Sequence, residues 1–239
     1  MNDIASILDI LRFIVGVTIL SYASYTDIKT RRASNLLWVI MGFIGLILIF
    51  IQYFTIGFEN ILILIFIPIM IGFVYLLYQI RLLFGGADAK AIMAITIIVP
   101  IQPNISQFPI WGQSFMPASW TVFADSLIIF MLVPVFLLIF NLTQKNFKLP
   151  HALLGYKMKI QTAKEKFVWP LEKIVDGKTK LIIRPKDFET KEEYNEFEKQ
   201  GIKYIWVTPK IPFMIPLLIG FICTFIFGDF LYIIMNLFI

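Results

Sequence analysis

A chain of 239 residues that is 59% hydrophobic and only 15% charged cannot cover a soluble surface, so a polytopic membrane protein is expected and an ordinary soluble domain is excluded. The net charge of +5 points to anionic lipid headgroups and not to nucleic acid, because the basic residues sit mainly in one loop region between apolar stretches. A single cysteine, Cys223, excludes an internal disulfide, and a single histidine, His151, excludes the usual histidine-carboxylate metal cluster; no cofactor is expected.

Crossing the hydrocarbon core takes about 20 mainly apolar residues, and six stretches qualify. They are Ile7 to Tyr25, Leu36 to Tyr53, Ile61 to Leu83, Asp88 to Ile101, Trp120 to Asn141 and Ile211 to Leu237. The extreme N-terminus carries Asp3 and Asp9 where a cleavable signal would carry basic residues, so the first helix is expected to be retained. Between the first two stretches lies a short loop with Lys29, Arg31 and Arg32, which the positive-inside rule makes cytoplasmic. The alternation then follows. Loop two, Gln52 to Asn60, has only Glu59; loop three has Arg81 and Lys90; loop four, Gln102 to Ser119, has no charge and carries Trp111 and Trp120 as interfacial anchors.

From Leu142 to Lys210 the composition changes, with fifteen Lys and Arg residues against nine Asp and Glu residues. Two stretches, 180–184 and 203–207, are rich in β-branched and aromatic residues and read as strands. Between them 190–200 reads as a helix with Tyr194 and Phe197 on one face and Gly201 as its C-cap. The expected fold class is therefore an all-α membrane protein of six transmembrane helices with a small α+β cytoplasmic insert. Its parts are 1–141, helices one to five; 142–210, the soluble insert; and 211–239, helix six. A module this small has a marginal core alone and is expected to lean on the membrane helices.

Topology delivers the central expectation. Helix one runs inward and ends near Asp27, while helix four starts inside at Asp88, so two carboxylates share one depth near the cytoplasmic face. A charged Asp at the bilayer centre costs about 2.5 to 3.5 kcal/mol, which makes such residues candidates for function. Gly85 and Gly86 precede Asp88 and allow unusual backbone angles and close approach. The structural alternative for Asp88 is a helix N-cap; for Asp27 it is a surface ion pair with Lys29, Arg31 or Arg32. Asn35 reads as the N-cap of helix two, with any site role secondary, and Lys90 as a topology determinant or a tuner of the Asp88 charge. Asp125 is expected to make a helix-contact hydrogen bond, Asp229 to lie near the outward end of helix six, and His151 to be a surface residue. Two facing carboxyls share one proton: the anion takes a proton from water and the acid protonates a carbonyl oxygen, which is peptide hydrolysis without metal.

Asp27-Ile28-Lys29 with Arg32 and Asn35, together with Phe84-Gly85-Gly86-Ala87-Asp88-Ala89-Lys90, resembles the prepilin peptidase family of membrane aspartyl proteases with a Gly-x-Gly-Asp motif. The run Trp206-Val207-Thr208-Pro209-Lys210-Ile211-Pro212-Phe213 is similar to its archaeal branch, the preflagellin (prearchaellin) peptidases. Ala87 departs from the motif's second glycine. The resemblance implies cleavage of the short basic leader of archaellin or type IV pilin-like precursors at the cytoplasmic face. It implies Asp27 and Asp88 as the catalytic pair, with Gly85 and Gly86 shaping the backbone. The absence of a Cys-x-x-Cys loop argues against the N-methyltransferase activity of the bacterial enzymes. The acidic residues Glu192, Glu193, Glu196 and Glu198 are candidates to receive the basic leader, with a solvated helix face as the alternative. Gly85 and Gly86 are candidates for a hinge that brings Asp88 to Asp27. Two other classes remain: a proton-coupled transporter, which calls for ionisable groups spread across the depth, and a non-enzymatic scaffold for filament assembly.

Overall fold

The computed structural model describes residues 2–83, 85–111, 116–175, 178–182 and 190–237. The chain divides into two compact units, Met1–Phe130 with Pro212–Ile239, and Met131–Ile211.

The first unit is a helix bundle. Helix α1 (Asn2–Thr30) leads to α2 (Asn35–Thr55), a 3₁₀ turn (Ile61–Ile65), α3 (Phe66–Gln79), α4 (Gly86–Ile98) and α5 (Ala118–Met131), and the unit closes with α10 (Met214–Ile226) and α11 (Phe230–Asn236). The buried residues of α2 are Trp38, Met41, Gly45, Leu48 and Gln52, one stripe at alternating spacings of three and four. That stripe packs on α4. A Cβ on Gly45 would stand 2.8 Å from the Ile98 backbone, so the glycine is what lets the two helices approach this closely. Helix α4 is alanine-rich and buried along most of its length, among α1, α2 and α3. It is the inner rod of the bundle.

Four helices are long and apolar enough to cross a membrane: Asp3–Thr30, Asn35–Thr55, Ile61–Gln79 and Ala118–Thr143. They become five if Met214–Ile226 and Phe230–Asn236, bent by 63°, form one span. The fourth of the six expected stretches is the one that falls outside this set. Asp88 to Ile101 forms a helix of only 13 residues, about 20 Å at 1.5 Å per residue and short of a core of about 30 Å. The last stretch is also broken. Gly228, at φ 100°, adopts a backbone that other residues strongly disfavour, and Asp229 restarts the chain as N-cap of α11, accepting from Tyr232 N at 3.0 Å.

The charge-free loop after α4 is tied down by its backbone. Ile110 N donates to Ile226 O at 2.9 Å and Trp111 N to Phe227 O at 3.1 Å, with the Trp111 ring stacked on Phe227. Residues 112–115 of that loop lie outside the described residues.

The second unit opens with α6 (Val133–Thr143), whose Pro134 explains the interruption after α5, since proline removes a helical hydrogen bond and crowds the preceding turn. Then follow α7 (His151–Leu154), β1 (Tyr156–Lys159), α8 (Ile160–Glu165), β2 (Val168–Pro170), β3 (Glu172–Val175), β4 (Lys178–Leu181), α9 (Thr190–Lys199) and β5 (Tyr204–Pro209). Strands β1 and β2 flank β5, both antiparallel to it, and β3 pairs with β4 in a separate hairpin. Tyr194 and Phe197 are buried with Ile160, Ala163, Val168, Ile205 and Val207 in the core of this unit. The expected helix and both expected strands are present, although Ile183 and Arg184 of the first strand lie outside the described residues. Gly201 closes α9 at φ 72°, with Ile202 N bonded to Phe197 O.

Candidate active site

Asp27 belongs to the last turn of α1, because the helix runs through it to Thr30 and only 31–34 form the loop. It continues the stripe Leu20, Ala23 and Ser24, all buried, to the end of the helix. The spacing of three, four and seven residues back from Asp27 is that of one helical face. Asp88 does the same at the start of α4, where Ala91, Ile92 and Ile95 follow on its face and are fully buried. Both carboxyls are half-buried. Helices α1 and α4 touch, and Asp27 is the charged group that acts on Asp88, while Arg31 acts on Asp27.

The two candidate carboxyls differ from every other buried acid of the bundle. Among the described residues no side chain or backbone N–H is seen to donate to either of them. Asp9, by contrast, is held by Arg12 Nη1 at 2.7 Å and by Asn104 N at 2.9 Å. Asp125 accepts from Thr224 Oγ1 at 3.1 Å and Phe230 N at 3.0 Å, the helix-contact role expected of it.

At the site one alternative falls away and two expectations are corrected. Asp88 is not an N-cap: Gly85 holds that position and Asp88 is the third residue of the helix. Asn35 is not an N-cap either, since Ser34 caps α2 through Leu36 N; the Asn35 Oδ1 instead accepts from Lys90 Nζ at 2.9 Å, joining the first turns of α2 and α4. Gly85 has φ −93°, an ordinary backbone, so freedom of angle is not its reason. A Cβ there would overlap the Asp88 carboxyl where it now lies, so a side chain at this position requires that carboxyl to shift. At Gly86 a Cβ would meet only the Tyr78 ring and hydroxyl, at 3.5 Å or more, which is ordinary contact. Phe84 of the quoted run lies outside the described residues.

Elsewhere, His151 is no surface residue. It is buried, its Nε2 lies 3.3 Å from Glu172 Oε1, and its ring sits 5.6 Å from that of Trp206. Of the acidic residues on α9, Glu198 is paired with Lys164 at 2.8 Å, and the side chains of Glu192 and Glu193 lie outside the described residues. Sequence reading missed the buried pair Asp9 and Arg12 and its bond to Gln52 Oε1 at 2.6 Å. The signal was present as opposite charges three apart in an apolar helix.

A membrane helix bundle with two unengaged carboxyls at facing helix ends, joined in one chain to a small α+β unit, defines the class. Residues 14–142 match the model of the type IV leader peptidase family, and residues 147–230 match that of the archaeal peptidase A24 C-terminus type II. The chain belongs to the type IV leader peptidase family. It is similar to the preflagellin peptidase of Methanococcus voltae, 28% identical over 92% of this chain and 96% of the relative. The preflagellin peptidases of Methanocaldococcus jannaschii and Methanococcus maripaludis are each 26% identical over 92% of this chain, and over 94% and 96% of their own lengths.

Proposed function

We propose that this chain is a membrane aspartyl endopeptidase that removes the short basic leader from archaellin or type IV pilin-like precursors at the cytoplasmic face. Asp27 and Asp88 are its reacting pair. The observation that carries the reading is that these two alone among the bundle's buried or half-buried acids have no described donor, while one acts electrostatically on the other. A water between them loses a proton to the ionised carboxylate as its oxygen attacks the scissile carbonyl, and the protonated carboxyl gives its proton to the carbonyl oxygen. The proton taken from water then passes to the departing amine. Protons belong to the pair and not to either residue.

The preflagellin peptidase relatives support the leader-bearing substrate. The cytoplasmic side rests on Lys29, Arg31 and Arg32 beside Asp27. Passage of α4 across the membrane as a sixth, inner segment is supported by its two ends. Asp88 feels Asp27 near one end of α1, and Asn104, just past α4, bonds Asp9 near the other, about 27 Å of helix away. That parity puts 142–210 in the cytoplasm as a module between the fifth and last crossings. N-methyl transfer is not part of the proposed activity.

The experiment is incubation of the purified full chain with a leader-bearing archaellin precursor. The native chain shortens the precursor, and Asp27→Asn or Asp88→Asn leaves it intact. Cleavage by either variant at the native rate contradicts the mechanism and favours a different hydrolytic site.

A further inference from the structure

Tyr78 stands in the last turn of α3, which packs on α4. Its hydroxyl and ring edge lie 3.5 to 3.8 Å from where a Cβ on Gly86 would be. Gly86 is the first residue of α4 and adjoins Gly85, over which the Asp88 carboxyl folds. One turn earlier the Tyr75 hydroxyl is engaged by the Gln79 amide, whereas the Tyr78 hydroxyl has no hydrogen bond among the described residues and its side chain is accessible. The end of α3 thus carries one phenol engaged by a neighbouring side chain and one open phenol, and the open one lies against the first residue of α4, two residues before Asp88.

We propose that the Tyr78 hydroxyl binds the precursor, donating a hydrogen bond to a main-chain carbonyl next to the scissile bond. This rests on the reading of Asp27 and Asp88 as the reacting pair. A cleavable peptide must be extended, advancing about 3.3 Å per residue, so a donor set off from the Asp88 carboxyl along α4 is assigned to a neighbouring carbonyl and not to the reacting one. A phenol suits that task, since its O–H donates while its ring excludes water from the same side. The hydrogen bond holds the scissile carbonyl in register with the two carboxyls. The competing role is an interfacial aromatic anchor, which uses the ring and needs no particular acceptor.

The test compares precursor cleavage by the native chain, Tyr78→Phe, Tyr75→Phe and Asp88→Asn in detergent, with a thermal midpoint for each. Tyr78→Phe is expected to lose about ten- to a hundred-fold in kcat/KM, the worth of one substrate hydrogen bond, with an unchanged midpoint. Tyr75→Phe is expected at the native rate and Asp88→Asn inactive. Tyr78→Phe at the native rate beside an inactive Asp88→Asn overturns the role of Tyr78 and leaves the aspartate reading standing. Equal losses in the two tyrosine variants, or a Tyr78→Phe loss that follows a lowered midpoint, assign the effect to the stability of the fold and also overturn the proposal. An active Asp88→Asn removes the reading beneath it.

Discussion

Helix α1 treats its two inward acids in opposite ways. Near its start both oxygens of Asp9 are occupied, one by Arg12 and the other by Asn104 N, and Arg12 in turn reaches Gln52 on α2. Near its end Asp27 lies within electrostatic reach of Asp88 on α4, which α1 touches, and neither has a described donor. Removing a carboxylate from water costs several kcal/mol unless partners replace the lost solvation. The Asp9 end meets that requirement inside the protein and becomes a staple between α1, α2 and the loop after α4. The Asp27 end leaves it to whatever enters, water or a peptide, which is the condition a reactive pair needs. Asp125 and Asp229 follow the Asp9 pattern, so a transporter reading, which wants exchangeable groups along the depth, has no open site at the other end among the described residues.

The comparison is sharpened most by removing charge at the open end. Asp27→Asn and Asp88→Asn are each expected to lower precursor cleavage by about 10³-fold or more while the thermal midpoint holds or rises, because no internal partner is lost. At the stapled end the signs reverse. Arg12→Leu strands Asp9 and is expected to cost about 3 to 5 kcal/mol of stability, read by detergent unfolding, with cleavage by the surviving folded fraction near native. Gly85→Ala and Gly86→Ala test whether the open end depends on room for the Asp88 carboxyl. The first should cost about ten- to a hundred-fold in cleavage through a displaced carboxyl, and the second should stay within a few-fold of native. Equal effects would return the glycines to a shared hinge role.

The smallest effect belongs to a third arrangement, in the second unit. His151 has Glu172 on one nitrogen, while its Nδ1 is buried with no partner among the described residues. Burial first, then the Lys148 charge, holds its pKa below the ordinary 6.5 against the opposing pull of Glu172. The unfolded imidazole therefore binds a proton at higher pH than the folded one. The stabilisation from neutral His151 is complete above about pH 6.5 and declines as pH falls below it toward the folded value. Trp206 fluorescence, reported from a ring beside His151, should register this loss on acidification, and His151→Phe should flatten it.

Much of this contrast was legible in the sequence, and the illegible part has physical causes. The expectation that Asp27 and Asp88 share one depth comes from span order and loop charge, both local properties, and the contact of α1 with α4 agrees with it. Tyr194 and Phe197 announce their buried face by spacing. By contrast, β1 carries Lys157 and Lys159 on its outer face and β2 is three residues ending in Pro170, so neither is long enough to show a period. The burial of His151 depends on Glu172 and Trp206, brought to it by the sheet and hairpin. The cap of α2 moved by one residue because Ser34 and Asn35 are both good caps, and the Lys90 contact that occupies Asn35 is tertiary. Gly85 was noticed for its freedom of angle, which at φ −93° it does not use; that the Asp88 carboxyl folds over it is a tertiary detail that only the structure reveals.

The claim that two acids act as one unit is tested most directly by a double-variant cycle on precursor cleavage, with kcat measured for Asp27→Asn, Asp88→Asn and the two together. Residues that share one proton are lost together, so each single variant should fall as far as the double. Losses that multiply in the double, or a single variant that keeps most of its rate, would contradict the account.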